Sequence, residues 1–168
     1  MQISMYKASI PTFIHGFNNL SAILTKAEKY AIAKKIDPSV LINSRLAPDM
    51  FPLSRQVQIT TDVVKGGIGR LSGVEIPSFP DTETTFLELQ ERIAKTITFL
   101  KSIKENQIDG SEEKDINLKV GGQELNFTGQ DYLLYFVIPN FYFHITAAYA
   151  ILRHNGLDVG KADFLGKK

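Results

Sequence analysis

The last long segment of the chain is apolar on every side, and this feature constrains the fold more than any other. Thr128 and Asp131 form a capping arrangement, and the apolar pattern that follows continues to Gly156, so we predict one helix over this range. At about 100° per residue, one stripe of this helix carries Leu133, Phe136, Val137, Asn140, His144, Ala147, Ala148 and Ile151. A helix that is apolar all round lies at the centre of a protein or against another subunit.

Three earlier segments also have helical periodicity, and proline or glycine separates them. The first opens near Ser9, where Pro11 suits a first-turn position, and should end by Pro38.

The second predicted helix covers residues 48–65 and stops at Gly66 and Gly67. Residues 71–80 follow as an extended crossover. Asp81 then caps the third predicted helix, which is the clearest amphipathic helix of the chain. Its apolar stripe consists of Phe86, Leu89, Ile93, Ile97 and Leu100.

The pattern changes from helical to alternating after residue 110. Apolar residues alternate on both sides of Gly121 and Gly122, namely Ile116, Leu118, Val120, Leu125 and Phe127. A Gly-Gly turn between alternating arms indicates a β-hairpin with a type I′ turn. We therefore predict an all-α protein with one domain over residues 1–168, an up-down-up-down four-helix bundle with a short β-hairpin insert before the last helix.

The opposite side of the last helix carries Tyr135, Tyr142 and Tyr149 at seven-residue intervals. No helix of a four-helix bundle is central, so the bundle cannot bury this apolar side by itself, and a second molecule must bury it. We therefore predict a homodimer in which the two-fold mate covers this tyrosine face.

Charge and composition exclude several classes of function. The chain has 19 basic and 18 acidic residues without a basic block, which gives no electrostatic basis for binding nucleic acid or an anionic membrane. Cysteine is absent, which excludes disulfides, thiolate metal sites and cysteine nucleophiles. The first residues lack the build of a signal peptide, and we expect no apolar run to be long enough to span a bilayer. These features predict a cytoplasmic protein.

Asn140 and His144 lie one turn apart within the apolar stripe of the last helix, so both need hydrogen bonds or a function. In one interpretation they form a buried hydrogen-bonded pair that fixes the helix register and satisfies the backbone freed by Pro139. In a second, they line a ligand-binding or catalytic pocket. In a third, they bind a metal. A set of one imidazole and an amide or carboxylate ligand is a poor one for zinc or nickel.

Arg55, Gln58 and Asp62 share one side of the second predicted helix. Asp62 is the carboxylate that we would pair with His144 if the two faces meet, because it would fix the tautomer of the imidazole or raise its pKa for proton transfer. The alternative is a surface ion pair between Arg55 and Asp62. Arg45 precedes this helix and is a candidate for the mouth of the pocket.

Five runs of residues resemble a known family. They are residues 45–53, 56–59, 80–86, 139–144 and 152–156, which read RLAPDMFPL, QVQI, PDTETTF, PNFYFH and LRHNG. These runs, and the chain over nearly its whole length, are similar to a domain-of-unknown-function family within the DinB/YfiT-like superfamily. The resemblance implies a four-helix bundle that is commonly dimeric.

The same resemblance bears on metal binding. Many members of the superfamily hold a divalent metal with three histidines, one on the second helix and two in an HxxxH pair on the last helix, and some are thiol-dependent transferases or related enzymes. Here the pair reads Asn140-x-x-x-His144, and residues 48–65 contain no histidine. Only His144 carries over, so the metal triad is degraded and we expect no cofactor. If a metal binds at all, His144 would hold it with Asp62.

Our leading hypothesis is therefore a dimeric DinB-like bundle that binds a small molecule in a pocket around the last helix. The candidate residues of this pocket are His144, Asn140, Asp62, Gln58, Arg55 and Arg45. Two alternatives stay open. One is a metal- or thiol-dependent enzyme of the transferase or hydrolase type, and the other is a non-catalytic dimeric module with a structural or partner-binding role.

Overall fold

The computed structural model describes residues 3–166, and these residues form a helical bundle with one small hairpin. In chain order the elements are α1 (Met5–Lys34), α2 (Pro38–Ile42), α3 (Leu53–Ser72), α4 (Phe86–Ser102), α5 (Glu105–Ile108), β1 (Asp115–Val120), β2 (Gln123–Thr128), α6 (Gly129–Asp131), a π-helical segment (Tyr132–Val137), α7 (Ile138–His154) and α8 (Lys161–Leu165). The segments α6, π and α7 follow without a break, and we call them together the last helix. The predicted all-α bundle with a hairpin before the last helix is confirmed.

The four long helices enclose one core. α3 packs against α4 and α7, and α1 packs against the same two helices. At the centre, the rings of Phe13 and Phe17 meet the ring of Phe141 at centroid distances of 4.9 and 5.3 Å, both edge to face. All three side chains are fully buried, so aromatic packing joins α1 to α7.

The predicted up-down-up-down order of helix directions is wrong, because the crossover after α3 runs back along α3. Near the C-terminal end of α3, Lys65 Nζ donates to the carbonyl of Pro77 at 2.8 Å. Further along the crossover, Glu83 accepts from Gln58, which lies towards the N-terminal end of α3, at 2.9 Å. α4 begins three residues later and therefore lies parallel to α3. A crossover long enough to return along the helix removes the usual antiparallel relation between successive helices.

Other long-range contacts fix the remaining directions. The backbone N–H of Tyr6 donates to Asp109 at 2.8 Å, and Gln90 near the start of α4 donates to the carbonyl of Ser21 at 2.8 Å, so α1 and α4 are antiparallel. The side chain of Tyr30, near the end of α1, donates to a carbonyl just after α7 at 3.2 Å, so α1 and α7 are parallel. The bundle is therefore up-down-down-up.

α1 begins at Met5 and not near Ser9. Ser4 is its N-cap and accepts from the backbone N–H of Lys7 at 3.4 Å. Pro11 lies inside the helix. Its missing N–H leaves the carbonyl of Lys7 without a helical partner, and because Lys7 is exposed, water can take that place.

α3 runs through Gly66 and Gly67, where the sequence predicted that it would stop, and it begins at Leu53 and not at Pro48. A Cβ atom at Gly67 would lie 2.7 Å from a methyl group of Val137. Glycine is therefore required here for close packing against the last helix, and it does not end the helix.

α4 is capped by Thr85 and not by Asp81. The hydroxyl of Thr85 accepts from the backbone of Glu88, and the carboxylate of Glu88 accepts from the backbone of Thr85, which is a capping box. Asp81 instead forms ion pairs with Arg55 and Arg92. The acidic residue that looked like a cap belongs to the crossover.

The hairpin matches its prediction. β1 and β2 pair antiparallel with Val120 opposite Gln123. Gly121 and Gly122, which join the strands, have φ values of 56° and 85°. Both lie in the left-handed region that a type I′ turn requires.

The last helix starts as predicted, since the hydroxyl of Thr128 accepts from the backbone N–H of Asp131 at 3.3 Å. The π-helical segment Tyr132–Val137 then changes the number of residues per turn. A stripe counted at a constant 100° is therefore displaced next to this segment, although its later members His144, Ala147, Ala148 and Ile151 are buried as predicted. Phe141, outside the predicted stripe, is fully buried, whereas Asn140, inside it, is half-buried.

The predicted tyrosine face is only partly exposed to solvent. Tyr135 and Tyr142 are 72% and 41% exposed. Tyr149 is half-buried, its ring lies 5.8 Å from that of Phe164 in α8, and its hydroxyl donates to the carbonyl of Val159 at 3.4 Å. The C-terminal segment of the same chain therefore covers part of this face.

Among residues 3–166, Gly129–His154 is long and apolar enough to cross a membrane by length and composition. The expectation that no run would pass this test was wrong. Core helices of soluble proteins pass it too. Phe141 and Ala148 of this helix are fully buried in the bundle, so we interpret it as a core helix, and a membrane partner is not indicated.

Candidate functional site

A hydrogen-bonded pair between α3 and α7 places His144. The imidazole Nδ1 lies 2.7 Å from the amide Oε1 of Gln56, and the amide Nε2 of Gln56 donates to the carbonyl of Phe51 at 3.1 Å. Gln56 is 1% and His144 is 8% exposed. The pair therefore joins two helices across the interior and connects them to the loop before α3.

The other ring nitrogen of His144 has no protein partner. Within residues 3–166 the hydrogen bond with Gln56 is the only one that the imidazole makes. Nε2 is not among the fully buried side-chain atoms that lack a partner in this part of the chain, so it keeps contact with solvent. One nitrogen is thus fixed by the protein, and the other is open to a ligand or to water.

The surroundings of His144 favour its neutral form. Burial lowers the pKa of its imidazole from the usual 6.5, and the positive charge of Arg55 lowers it further. A neutral imidazole can accept a hydrogen bond through its unprotonated nitrogen.

An open apolar groove with a volume of about 450 Å³ runs along α7; His144 does not line it but contacts one of its lining residues, Phe143. We call it the α7 groove; it is lined by Leu46 and Met50 before α3 and by Pro139, Tyr142, Phe143 and Ala147 of α7. The ring of Phe143 meets the ring of His144 edge to face, with centroids 5.1 Å apart. Ala147 lies one helical turn beyond His144, on the same side of the helix. A mostly apolar wall beside a single polar group is the common form of a small-molecule site.

Asn140 does not pair with His144. Its side-chain amide donates to the carbonyl of Phe136, four residues earlier, at 2.7 Å. This carbonyl lies in the π-helical segment just before Pro139, which has no N–H to donate. Asn140 therefore binds the backbone of its own helix. The carbonyl four residues before Pro139 is that of Tyr135 and not that of Phe136, so the pair that the first interpretation expected does not form, and Asn140 does not satisfy the backbone freed by Pro139.

Three of the other predicted site residues, Asp62, Arg55 and Gln58, belong to a second cluster, between α3, the crossover and α4. Asp62 accepts from Arg92 at 2.7 Å and pairs with Lys65 at 3.0 Å. Asp62 thus pairs with two cationic side chains, Arg92 and Lys65. The structure does not bring it to His144. The alternative ion pair between Arg55 and Asp62 does not form either.

Arg55 and Gln58 extend this cluster. Arg55 forms an ion pair with Asp81 and donates to Gln58 at 3.2 Å. Gln58 in turn donates to Glu83 at 2.9 Å. Arg45 stands apart, since it is exposed and donates to the carbonyl of Pro48 at 3.3 Å.

Arg92 is the centre of this cluster, and the side chain is 1% exposed. It donates to Thr61 at 2.7 Å and to Glu83 at 2.9 Å, and it pairs with Asp62 and Asp81. Burial by itself lowers the pKa of Arg92, but the hydrogen bond to Glu83 and the charges of Asp62, Glu83 and Asp81 raise it overall. The cluster is a buried ion-pair network that holds the crossover on the bundle.

A depression of about 500 Å³ lies between the crossover and α4 and includes Glu83, Glu88 and Arg92 in its wall. Each of these charged groups already has protein partners: Glu88 caps α4, and Arg92 and Glu83 bind each other at 2.9 Å. The α7 groove is the better ligand site, because its wall is mostly apolar and one of its residues, Phe143, contacts the ring of His144.

Gln56 and Arg92 were missed by reasoning from the sequence. Gln56 lies one turn before Thr60 and two turns before Val64, and both are buried, so a glutamine on the inner row of α3 was the available signal. Arg92 lies three residues after Leu89 on the apolar side of α4. A charged residue on an apolar stripe marks a buried partner.

The residues near His144 do not fit a three-histidine metal site. Among residues 3–166, no group of three or more His, Asp or Glu side chains is placed to hold a metal ion. Gln56 offers an amide oxygen that already accepts from His144, and the amide nitrogen of Asn140 is bound to Phe136. This donor set is poor for zinc or nickel. The absence of a cofactor stays a prediction.

Comparison with known proteins agrees with this architecture. Residues 5–165 match the family described as Domain of unknown function (DUF1993). A crystal structure of a DinB family member protein from Shewanella denitrificans is similar to the chain, with 44% identity and a TM-score of 0.87, over 97% of this chain and 92% of that one. No curated protein matches.

Proposed function

We propose that this chain, which belongs to the DUF1993 family of domains of unknown function, binds a small and largely apolar molecule in the α7 groove. One observation carries the proposal: Phe143 of an apolar groove contacts a buried histidine that keeps one ring nitrogen without a protein partner. The groove would hold the apolar body of the ligand, and His144 would hold its polar end.

Three features support this proposal. The volume of about 450 Å³ lies within the range of small-molecule sites. His144 is held in one orientation by Gln56, so a ligand need not order it. Phe143 is 58% exposed although its ring contacts that of His144, so a ligand that covers this ring removes apolar surface from water, which stabilises the complex by roughly 25 cal/mol for each Å².

The proposal is tested by titrating the ¹⁵N-labelled protein with a set of small phenols, anilines and aliphatic alcohols. We expect saturable shifts of the backbone amides around Phe143 and Ala147. Ala150→Phe, which fills the groove, should abolish them, and the control Ala33→Phe at an exposed position of α1 should not. If no compound in the set shifts the groove residues, the proposal is wrong.

We also propose a homodimer through the last helix. Tyr135 and Tyr142 are 72% and 41% exposed on this helix, and such an apolar surface favours a partner. Because α8 covers Tyr149, the proposed interface centres on Tyr142. Sedimentation analysis should give a dimer for the native chain and a monomer for Tyr142→Glu.

The control for the dimer is Ile32→Glu, which changes an exposed apolar residue of α1 and should leave the dimer intact. A native chain that sediments as a monomer at micromolar concentration would exclude the interface. The cytoplasmic location stays a prediction from the sequence, and cell fractionation tests it.

A further inference from the structure

The orientation of the Gln56 side chain has a chemical consequence for His144. A backbone carbonyl can only accept a hydrogen bond, so the carbonyl of Phe51 must face the NH₂ group of the Gln56 amide, at 3.1 Å. The amide oxygen then faces His144 Nδ1 at 2.7 Å. An oxygen can only accept, so Nδ1 must carry the proton and donate it.

The reverse arrangement is less stable. Turning the Gln56 amide over would place its oxygen against the carbonyl oxygen of Phe51 and its NH₂ group against Nδ1. One hydrogen bond would be lost and two acceptors would face each other inside the protein, where Gln56 is 1% exposed. A buried polar group without a hydrogen bond carries the full cost of its lost hydration, so the amide orientation is fixed.

We propose that Gln56 is a positioning residue that holds His144 as the Nδ1–H tautomer, so that the α7 groove selects ligands with an O–H or N–H donor. With the proton on Nδ1, Nε2 carries only a lone pair. This nitrogen has no protein partner and keeps contact with solvent. A ligand group that donates a hydrogen bond, such as the hydroxyl of a phenol, can therefore bind Nε2. An ether oxygen at the same place would set its own lone pair against that of Nε2, and the two would repel each other.

Charge near the ring narrows the ligand class. Arg55 lies close enough to His144 for its charge to lower the pKa of the imidazole, so a cationic ligand would be repelled. The wall of the groove is mostly hydrocarbon, from residues such as Leu46 and Ala147. Apolar molecules with one hydroxyl group, phenols above all, combine the two requirements. This ligand class rests on the function proposed above.

Side-chain NMR tests the tautomer directly, without any ligand. Long-range ¹H–¹⁵N correlation spectra distinguish the two neutral tautomers of a histidine. In the native protein we expect the Nδ1–H pattern for His144. In Gln56→Met the acceptor is gone, and the Nε2–H tautomer should become populated. Gln58→Met, a buried glutamine two residues further on that binds Glu83, should leave the pattern unchanged.

An Nε2–H pattern in the native protein would overturn the proposal, and this result needs no variant to fold. Persistence of the Nδ1–H pattern in a folded Gln56→Met would overturn the role of Gln56. Gln56→Glu supplies a third measurement, since a carboxylate still accepts from Nδ1 and should keep the tautomer.

A pair of matched probes tests the ligand class. p-Cresol and 4-methylanisole share an aromatic ring and a methyl group, but only p-cresol has a donor. One hydrogen bond between neutral groups predicts about three- to ten-fold tighter binding of p-cresol, and this preference should disappear in Gln56→Met. Equal affinities in the native protein would overturn donor selection. If neither probe binds, the groove function and its ligand class both fail, while the spectra still decide the tautomer.

Discussion

Replacement of Arg92 by methionine should destabilise the protein by about 2–3 kcal/mol, less than is usual for a broken buried ion pair. The side chain is 1% exposed. It donates to Thr61 at 2.7 Å, to the carbonyl of Pro80 at 3.1 Å and to Glu83 at 2.9 Å, and it pairs with two further carboxylates. Removal of one partner from such a pair costs roughly 3–5 kcal/mol when the remaining charge is left alone.

The Arg92→Met variant leaves none of these three carboxylates without a partner, because each keeps a second hydrogen-bond or ion-pair donor. These donors are Lys65 for Asp62 at 3.0 Å, Arg55 for Asp81, and Gln58 for Glu83 at 2.9 Å. The side chains of Asp62 and Asp81 are also 36% and 38% exposed, whereas that of Glu83 is 11% exposed. The main loss is therefore one charged hydrogen bond of Glu83, which is worth about 1.5–3 kcal/mol. Methionine fills most of the vacated volume and adds little further cost.

Urea unfolding followed by circular dichroism measures this change. Lys95→Met, at an exposed position of the same helix, is the control and should stay within about 0.5 kcal/mol of the native chain. A loss below about 1 kcal/mol for Arg92→Met would show that the network does not hold the crossover on the bundle. A loss above about 4 kcal/mol would show that the second donors do not replace Arg92.

Three further predictions concern packing, capping and pH. Gly67→Ala should destabilise by about 1–3 kcal/mol, because its Cβ would lie 2.7 Å from Val137; Gly66→Ala, whose Cβ meets only the flexible end of Arg70, should stabilise the helix by about 0.5–1 kcal/mol, and equal effects in urea unfolding would contradict this packing. Thr85→Ala removes one half of the capping box and should cost about 1 kcal/mol; a melting temperature equal to that of the native chain would refute the cap. Burial and then the charge of Arg55 lower the pKa of His144 in the folded state, so the unfolded chain binds the proton more tightly. Stability should therefore be complete above about pH 6.5 and fall as the pH drops towards the lowered pKa; His144→Leu should reduce this slope between about pH 7 and 5, and an unchanged slope would mean that His144 does not cause it.

The sequence determined the local structure of this protein well. Four segments with apolar periodicity predicted the long helices of the bundle. Gly121 and Gly122 predicted the hairpin turn, where both have positive φ values. These features depend on neighbouring residues along the chain, so the sequence contains the information needed to predict them. The position of His144 on a buried side of the last helix was likewise predictable, because burial follows helical periodicity.

The candidate site was predicted only in part. His144 was identified as the central residue, but its partner is Gln56 and not Asp62. Both residues project from the same helix, and the choice between them depends on which side of α3 meets α7. A difference of six residues corresponds to about 600° of rotation, so the two side chains point to different sides, and helical periodicity alone does not say which one faces α7.

The direction of α4 and the role of Gly67 were decided by tertiary structure alone. The crossover can return along α3 because Gln58 and Lys65 bind it there. Gly67 lies inside a helix because the last helix approaches it within van der Waals distance. The sequence by itself thus determined which segments are helical and which residues are polar within them. Only the packed structure decided which faces meet, because that choice depends on burial and hydrogen bonding summed over residues far apart in the chain.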